Sequence, residues 1–321
     1  MPFPAVFGPD PSRFLDQVNT AMSPTMPRPL ALCVLLIATM VWGFAFIAQK
    51  TAMEAMGPLT FIASRYILGG LVILPLALIE HRRRAEPISR RDWQVMGLVS
   101  VAFFIASWLQ QAGLMSTSVT NGGFLTGLYV FFVPFILLVL LRTAPHPVVW
   151  IGMPMAVAGL YLLNGASFTS MVTGDYLIIA SAFFWGVHVL VLGYLARSTA
   201  RPIFISSVIF LLAGLFAAVG AFATEPVTLD AFRLGWGEIL YAGLLSTAVG
   251  FTFQAIAQQH VPPANAAIIL SAESLFAALG GALFLGERLP LIGYLGAALI
   301  FIAIVAVETL PLLRRKPAAT G

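Results

Sequence analysis

Charged residues are scarce in this chain. Asp, Glu, Lys and Arg together make up 9% of its 321 residues, whereas soluble globular domains carry about 25%. So few charges cannot solvate the surface of a soluble protein of this length, and 60% of the residues are hydrophobic. The composition therefore predicts an integral membrane protein. A single cysteine, Cys33, excludes an internal disulfide bond.

The motifs of several enzyme and motor classes are also missing. No glycine-rich loop followed by Lys and Ser or Thr occurs, so no ATP-driven motor is indicated. No His, Cys or carboxylate cluster has metal-ligand spacing, and no GxSxG motif or legible Ser/His/Asp set is found. The basic run at 82–84 fits a loop at a membrane surface and needs no nucleic-acid partner. We therefore expect no enzyme activity, no metal and no cofactor.

The two ends of the chain differ from its middle. Residues 1–29 contain seven prolines and no apolar run, so no signal-peptide core precedes residue 30. We predict a disordered tail there, or a tail that arises from annotation if translation starts at Met22 or Met26. Residues 309–321 are predicted to form a cytoplasmic tail.

Long apolar stretches fill the region between these tails. A bilayer core of about 30 Å requires about 20 apolar residues per helix. Ten stretches meet or approach this length and predict an all-α membrane protein, with the fifth stretch the shortest. The predicted spans are 30–49, 58–79, 93–115, 119–141, 148–164, 175–196, 202–223, 238–259, 264–285 and 289–310.

The ten spans form two copies of one five-span unit, residues 30–164 and 174–308. Several short motifs of the first copy return 143 or 144 positions later in the second, and four such matches share this register. Because five is odd, the second copy must enter the membrane from the opposite side. Inverted repeats of this kind are typical of secondary transporters, whose substrate site lies where the repeats meet. The matching pairs are Trp42-Gly43 and Trp185-Gly186, 61–64 and 204–207, Trp93 and Trp236, and 121–125 and 265–269.

The distribution of Lys and Arg predicts the orientation. A cytoplasmic N-terminus places thirteen basic residues inside and three outside, with Arg65 within a span. The reverse orientation would invert this ratio and violate the positive-inside rule. The outer residues are then Lys50, Arg233 and Arg288, and both termini are cytoplasmic.

Two ionisable residues lie deep within predicted spans. Glu273 is the tenth residue of span nine, at the position of Tyr129 in the first copy. It is able to carry a coupled proton or bind a cationic group, or it is a neutral packing residue. Arg65 lies eight residues into span two and keeps its charge, so it needs a carboxylate, a carbonyl group, water or an anionic substrate. Arg65 and Glu273 have similar depths and can form a pair, although snorkelling is the alternative for Arg65.

Other polar and aromatic residues lie near the same depth. His188 is three residues after Trp185 and shares its helical face, so it is a candidate proton relay or a packing histidine. Trp42 and Trp185 lie well inside spans one and six, which favours cavity lining or core packing over the interfacial belt. Amide side chains in these spans can bind a polar substrate or join helices. The amides are Gln110, Gln111, Asn121, Gln254 and Asn265.

These motifs resemble the drug/metabolite transporter superfamily in its bacterial EamA-type branch. The resemblance covers residues 30–310 and implies ten helices, a central cavity and carrier-type export or exchange of small metabolites. The sequence departs from the family pattern at Ser274, which follows Glu273 where the family has proline. The second copy also has Val208 at the position equivalent to Arg65, so this charge is not repeated. The motifs are Val41-Trp42-Gly43-Phe44, Phe184-Trp185-Gly186, the run 121–129, the run 265–273 with 284–288, and the second-helix Arg65.

We therefore predict a multi-pass carrier of the bacterial inner membrane that moves small metabolites such as amino acids by alternating access with proton coupling. An uncoupled facilitator, a membrane enzyme acting on a lipid-linked substrate and a scaffold remain alternatives. Glu273 and His188 are the candidate proton carriers. The predicted cavity residues are Trp42, Arg65, Gln110, Asn121, Tyr129, Trp185, His188, Gln254 and Glu273.

Overall fold

A computed structural model describes residues 26–139, 141–166 and 171–313, and this part of the chain is helical. The predicted all-α fold is confirmed, and each predicted span corresponds to one helix. Most of both predicted tails lies outside the described residues. The helices that correspond to the predicted spans are α1 (Arg28–Ala52), α2 (Pro58–Arg82), α3 (Arg90–Leu114), α4 (Val119–Val139), α5 (Val149–Leu163), α6 (Thr173–Thr199), α7 (Pro202–Thr224), α8 (Trp236–Ala257), α9 (Pro263–Phe284) and α10 (Leu291–Leu313). A short helix, Leu229–Leu234, lies between α7 and α8.

Nine of these ten helices, within the described ranges, are long and apolar enough to cross a membrane. The exception is α5, which has 15 residues and is also the shortest predicted span. The helices pack mainly across the repeats: α2 on α7, α5 on α10, α1 on α9, and α3 on α6. The two copies therefore build one bundle with a shared interior.

Reciprocal carboxylate caps show that the equivalent helices α2 and α7 run antiparallel. Glu225 follows α7, and its carboxylate accepts hydrogen bonds from the backbone amides of Leu59 and Thr60 at the start of α2. Glu80, near the end of α2, accepts from the amide of Phe204 at the start of α7. A carboxylate at a helix N-terminus satisfies unpaired amides and complements the helix dipole. These caps join opposite ends of the same helix pair.

Glu287 is a further carboxylate cap. Its carboxylate accepts from the backbone amides of Val119 and Thr120 at 3.0 and 2.9 Å, so it joins the end of α9 to the start of α4. The same corner receives Lys50, whose ammonium donates to carbonyl groups at the end of α3, including that of Leu114 at 2.7 Å. The ammonium of Lys50 thus caps the C-terminal end of α3, and the carboxylate of Glu287 caps the N-terminal end of α4, as the helix dipoles favour.

The helices α4 and α9 are both interrupted at equivalent positions. Regular α-helix is broken at Leu128 in α4 and at 271–272 in α9, so Tyr129 and Glu273 each begin the second half of a broken helix. In α9 the Ser274 hydroxyl donates to the carbonyl of Ser271 at 2.7 Å. This hydroxyl satisfies a carbonyl group at the break. The helix α9 is therefore interrupted even though it lacks the proline of the family pattern.

Small residues bring α9 close to its neighbours. A Cβ atom at Gly123 of α4 would lie 2.6 Å from the Cβ of Ala277 in α9, so these two small residues face each other. The helix α1 approaches α9 even more closely. A Cβ at Gly43 of α1 would lie 2.2 Å from the Cβ of Phe276 and 2.6 Å from the carbonyl oxygen of Glu273, both in α9. Only glycine allows these two backbones to meet at this point.

We expect Gly43→Ala to lower the free energy of unfolding by about 1–3 kcal/mol, because the methyl group must displace the α9 backbone. Gly97→Ala is the matched control, since a Cβ at Gly97 meets nothing within 4 Å and alanine favours a helix by up to about 1 kcal/mol. Thermal unfolding of the two purified variants in detergent compares them. Equal midpoints would mean that the close contact of α1 and α9 adds nothing to stability.

Candidate functional site

A small cavity lies where the two repeats meet. Its volume of about 40 Å³ accommodates only a few water molecules. Helices of both repeats contribute to its wall. The lining residues are Trp42, Phe46, Gln49, Arg65, Gln110, Thr126, Tyr129, Trp185, His188, Val189, Ser246, Phe251, Gln254, Leu270 and Glu273.

Eight of the nine residues predicted from the sequence line this cavity. The ninth, Asn121, lies near the start of α4, where its amide donates to the Thr117 hydroxyl at 2.9 Å and to the Asp175 carboxylate at 2.6 Å. Asn121 therefore joins α4 to α6 and is absent from the cavity wall. The eight residues that the fold brings together are Trp42, Arg65, Gln110, Tyr129, Trp185, His188, Gln254 and Glu273.

Aromatic rings form one side of the cavity. The ring of Phe251 lies between the two repeat-equivalent tryptophans, with its centroid 4.5 Å from that of Trp42 and 5.6 Å from that of Trp185. The Trp42 indole donates to the carbonyl of Ser246 at 3.0 Å, and the Trp185 indole donates to Gln110 at 2.6 Å. Each tryptophan thus bonds to the third helix of the opposite repeat, which fixes the orientation of both rings.

Arg65 is buried without a carboxylate partner. It is 3% exposed, and it belongs to neither of the two ion pairs found among the described residues. Arg65 and Glu273 therefore line one cavity without forming the pair that their depths allowed. The guanidinium carbon lies 4.6 Å from the centroid of the Tyr66 ring, and one nitrogen, Nη2, donates to the Tyr66 hydroxyl at 2.9 Å. Its Nε has no hydrogen-bond partner among the residues that the structure describes.

A one-way chain of hydrogen bonds holds the guanidinium group. The Tyr66 and Ser107 hydroxyl oxygens are 2.5 Å apart, and the Ser107 hydroxyl also donates to the carbonyl of Phe103 at 2.7 Å. Since Ser107 has a single proton and uses it on Phe103, Tyr66 must be the donor to Ser107. The Tyr66 oxygen is then left to accept from Arg65. This chain anchors Arg65 of α2 to the backbone of α3.

Glu273 and Tyr129 face each other across the repeat boundary. Glu273 is 5% exposed and Tyr129 is 4% exposed, and the two side chains are electrostatic neighbours. Glu273 Oε1 and the Tyr129 hydroxyl nevertheless lack a hydrogen bond of ordinary length and angle. Both side chains start the second half of a broken helix, so any movement at the two breaks changes their separation.

His188 and Gln254 form a second polar pair. The ring of His188 packs against the aromatic side chains, with its centroid 4.8 Å from that of Phe103. Gln254 is its polar neighbour, yet both imidazole nitrogens and the Gln254 Oε1 lack a hydrogen bond of ordinary geometry. Buried polar groups in proteins are nearly always paired. Buried polar atoms without a hydrogen bond of ordinary geometry therefore cluster around this cavity.

The sequence prediction missed several residues that shape this site. Tyr66 and Ser107 hold Arg65, and Phe251 separates the two tryptophans. Ser107 is three residues before Gln110, a spacing that places both on one helical face and was a usable signal. For Phe251 no comparable signal exists, because apolar aromatic residues occur throughout the spans. In the part of the chain that the structure describes, no group of three or more His, Cys, Asp or Glu residues could hold a metal ion.

Comparison with known proteins shows that the chain is similar to a family of transporters. The sequence model of the EamA-like transporter family matches twice, over residues 29–165 and 172–309. An uncharacterized transporter of Archaeoglobus fulgidus is 28% identical over 85% of this chain and 84% of its own length. The uncharacterized transporter YwfM of Bacillus subtilis is 27% identical over 86% of this chain and 93% of its own length.

Two further similarities are partial or structural. An S-adenosylmethionine/S-adenosylhomocysteine transporter of Chlamydia muridarum is 30% identical over 116 residues, which is 36% of each chain. One solved crystal structure superimposes with a TM-score of 0.72 at 17% identity and covers 90% of this chain and all of its own. Because the identity to this solved structure is only 17%, the similarity shows a shared fold and nothing more.

Proposed function

The chain belongs to the EamA-like transporter family, and on this premise we propose that it is a secondary carrier for small metabolites that bear a carboxylate, such as amino acids. The observation that carries the proposal is the guanidinium of Arg65 in the central cavity, which forms no ion pair among the described residues. A buried charge without a counter-ion is costly, and an anionic substrate would supply that counter-ion. A guanidinium also matches the planar fork of a carboxylate.

The other walls of the cavity suit the rest of an amino acid. Glu273 offers a carboxyl oxygen without a partner, which can accept a hydrogen bond from an ammonium group. Trp42 and Trp185 offer flat apolar surfaces for a side chain. A zwitterion with an apolar or aromatic side chain would satisfy both ionisable residues at once.

We propose that the carrier works by alternating access. The cavity of about 40 Å³ is too small for an amino acid, so the helices that line it must move apart to admit substrate. The breaks at Leu128 and at 271–272 lie next to Tyr129 and Glu273, where a hinge would open the cavity. Broken helices beside a midplane site are a recurring feature of secondary transporters.

We further propose proton coupling through Glu273, with His188 as a secondary candidate. Both side chains are buried in the cavity and have atoms without a hydrogen-bond partner. We also propose a location in the bacterial inner membrane, and the excess of basic residues in alternate loops supports an orientation with both termini in the cytoplasm. An uncoupled facilitator would share the cavity but would ignore a proton gradient.

A ligand panel tests the substrate class. We expect a carboxylate metabolite to raise the thermal unfolding midpoint of the purified protein by a few degrees, since saturating ligand adds about 2.7 kcal/mol at 100 times Kd. Each amino acid is paired with its carboxamide, which lacks the charge that Arg65 would bind. S-adenosylmethionine is included because a partial relative is named for it.

Compounds that stabilise the protein are then assayed for flux in proteoliposomes. Stabilisation by amino acids but not by their carboxamides supports the proposed site. Equal stabilisation by each acid and its carboxamide would contradict the role of Arg65 in binding, and stabilisation without flux would contradict a carrier.

A further inference from the structure

A second polar cleft lies at one end of the bundle, away from the central cavity. It has a volume of about 560 Å³ and is formed by the α2–α3 loop and the α6–α7 turn. Three arginines line it, namely Arg83, Arg84 and Arg201, and none of them borders the central cavity. The cleft directly follows the membrane helix α2, so it lies at the level of lipid headgroups.

Arg201 is the buried member of this set. It is 3% exposed, and its Nη2 donates to the backbone carbonyls of Arg84, at 3.3 Å, and Glu86. Its Nε has no hydrogen-bond partner, and no ion pair involving Arg201 is found among the residues that the structure describes. The hydrogen bonds of this guanidinium therefore go to neutral carbonyl groups and not to a carboxylate.

Two carboxylate residues, Asp92 and Glu86, also line the cleft, and neither forms an ion pair with these arginines among the described residues. Asp92 is occupied by the hydroxyl groups of Ser89, at 2.7 Å, and Ser198, at 3.2 Å. Glu80 lies close enough to influence Arg84 and Arg201, but its carboxylate accepts the amide of Phe204 at the start of α7. Glu86 is exposed and forms no ion pair within the described ranges.

We propose that this cleft binds a phosphate group through Arg83, Arg84 and Arg201. The phosphate would belong to an anionic phospholipid headgroup or to a free phosphate ion. Arginine recognises phosphate oxygens with two parallel hydrogen bonds, and basic pockets between membrane helices bind anionic headgroups in this way. Because Arg201 also holds the α2–α3 loop, a bound phosphate would stabilise the packing of α2 and α7.

The experiment uses the full-length, delipidated protein in nanodiscs of phosphatidylcholine, with or without phosphatidylglycerol. Native mass spectrometry counts retained phosphatidylglycerol, and thermal unfolding measures stabilisation. A parallel titration with inorganic phosphate, against chloride at equal ionic strength, distinguishes the free ion from the lipid. Two double variants remove equal charge from exposed positions of the same region. They are Arg83→Gln with Arg84→Gln, which line the cleft, and Arg82→Gln with Arg90→Gln, which do not.

We expect the wild type to retain one phosphatidylglycerol, or to be stabilised by phosphate alone if the free ion is the ligand. The cleft variant should bind roughly 30-fold more weakly, at about 1 kcal/mol for each arginine, while the control variant binds like the wild type. Equal losses in both variants would indicate diffuse attraction and overturn the proposal. Unchanged binding in both variants, or no binding by the wild type to either probe, would also overturn it.

Discussion

Replacing Arg65 with methionine is expected to abolish transport while making the protein more stable. Arg65 is buried, its one hydrogen bond to a side chain goes to Tyr66, and no carboxylate offsets its charge. Methionine fills a similar space without any desolvation cost, and Tyr66 keeps its bond to Ser107. We expect the free energy of unfolding to rise by about 1 kcal/mol or more, because removing buried charge is often stabilising.

The loss of function should be large. An ionic hydrogen bond contributes about 1.5–3 kcal/mol, so losing even one such bond to the substrate should weaken its binding roughly 10- to 150-fold. Arg65→Lys is the informative companion, since it keeps the charge and loses the planar fork. We expect partial flux from the lysine variant and none from the methionine variant, measured in proteoliposomes with the substrate that the panel identifies.

The combination of measurements separates function from structure. A methionine variant that is less stable than the wild type would identify Arg65 as a residue that holds α2 and α3 together. A methionine variant that still transports would remove Arg65 from the binding site.

Replacing Glu273 with glutamine is expected to uncouple transport from the proton gradient. Glutamine keeps nearly the same shape at the start of the second half of α9 but cannot release a proton. With one coupled proton, a gradient of about one pH unit supports a roughly tenfold accumulation of substrate. We expect the variant to equilibrate its substrate without accumulation and to retain exchange between preloaded and external substrate.

Glu238→Gln is the matched control for this variant. Glu238 is also a membrane-region carboxylate, but it bonds the Thr51 hydroxyl and does not line the central cavity. It should accumulate substrate like the wild type. Accumulation by the Glu273 variant would exclude Glu273 as the proton carrier and direct the same test to His188. A wild type that ignores the gradient would favour the uncoupled facilitator.

Sequence reasoning located the residues of the site better than their partners. Glu273 and Arg65 are predictable because they are ionisable residues deep within apolar spans, and both line the cavity. Their partners were not predictable, because a side chain's neighbour on another helix depends on how both helices are rotated and tilted. Asn121 shows that the sequence also could not exclude a residue from the cavity wall. It belongs to the repeated motif, yet Asp175 of α6 draws its amide away from the cavity.

The sequence by itself determined the membrane class, the ten helices and the two inverted copies, because hydrophobic length and spacing along the chain are local properties. Only the tertiary structure decided that Arg65 bonds Tyr66 rather than Glu273, and that α9 breaks beside Glu273 with Ser274 in place of proline. Both outcomes depend on distances between groups brought together by packing. A repeat can specify where a polar residue lies along a helix, but the surrounding helices decide whether its charge is paired or left for a substrate.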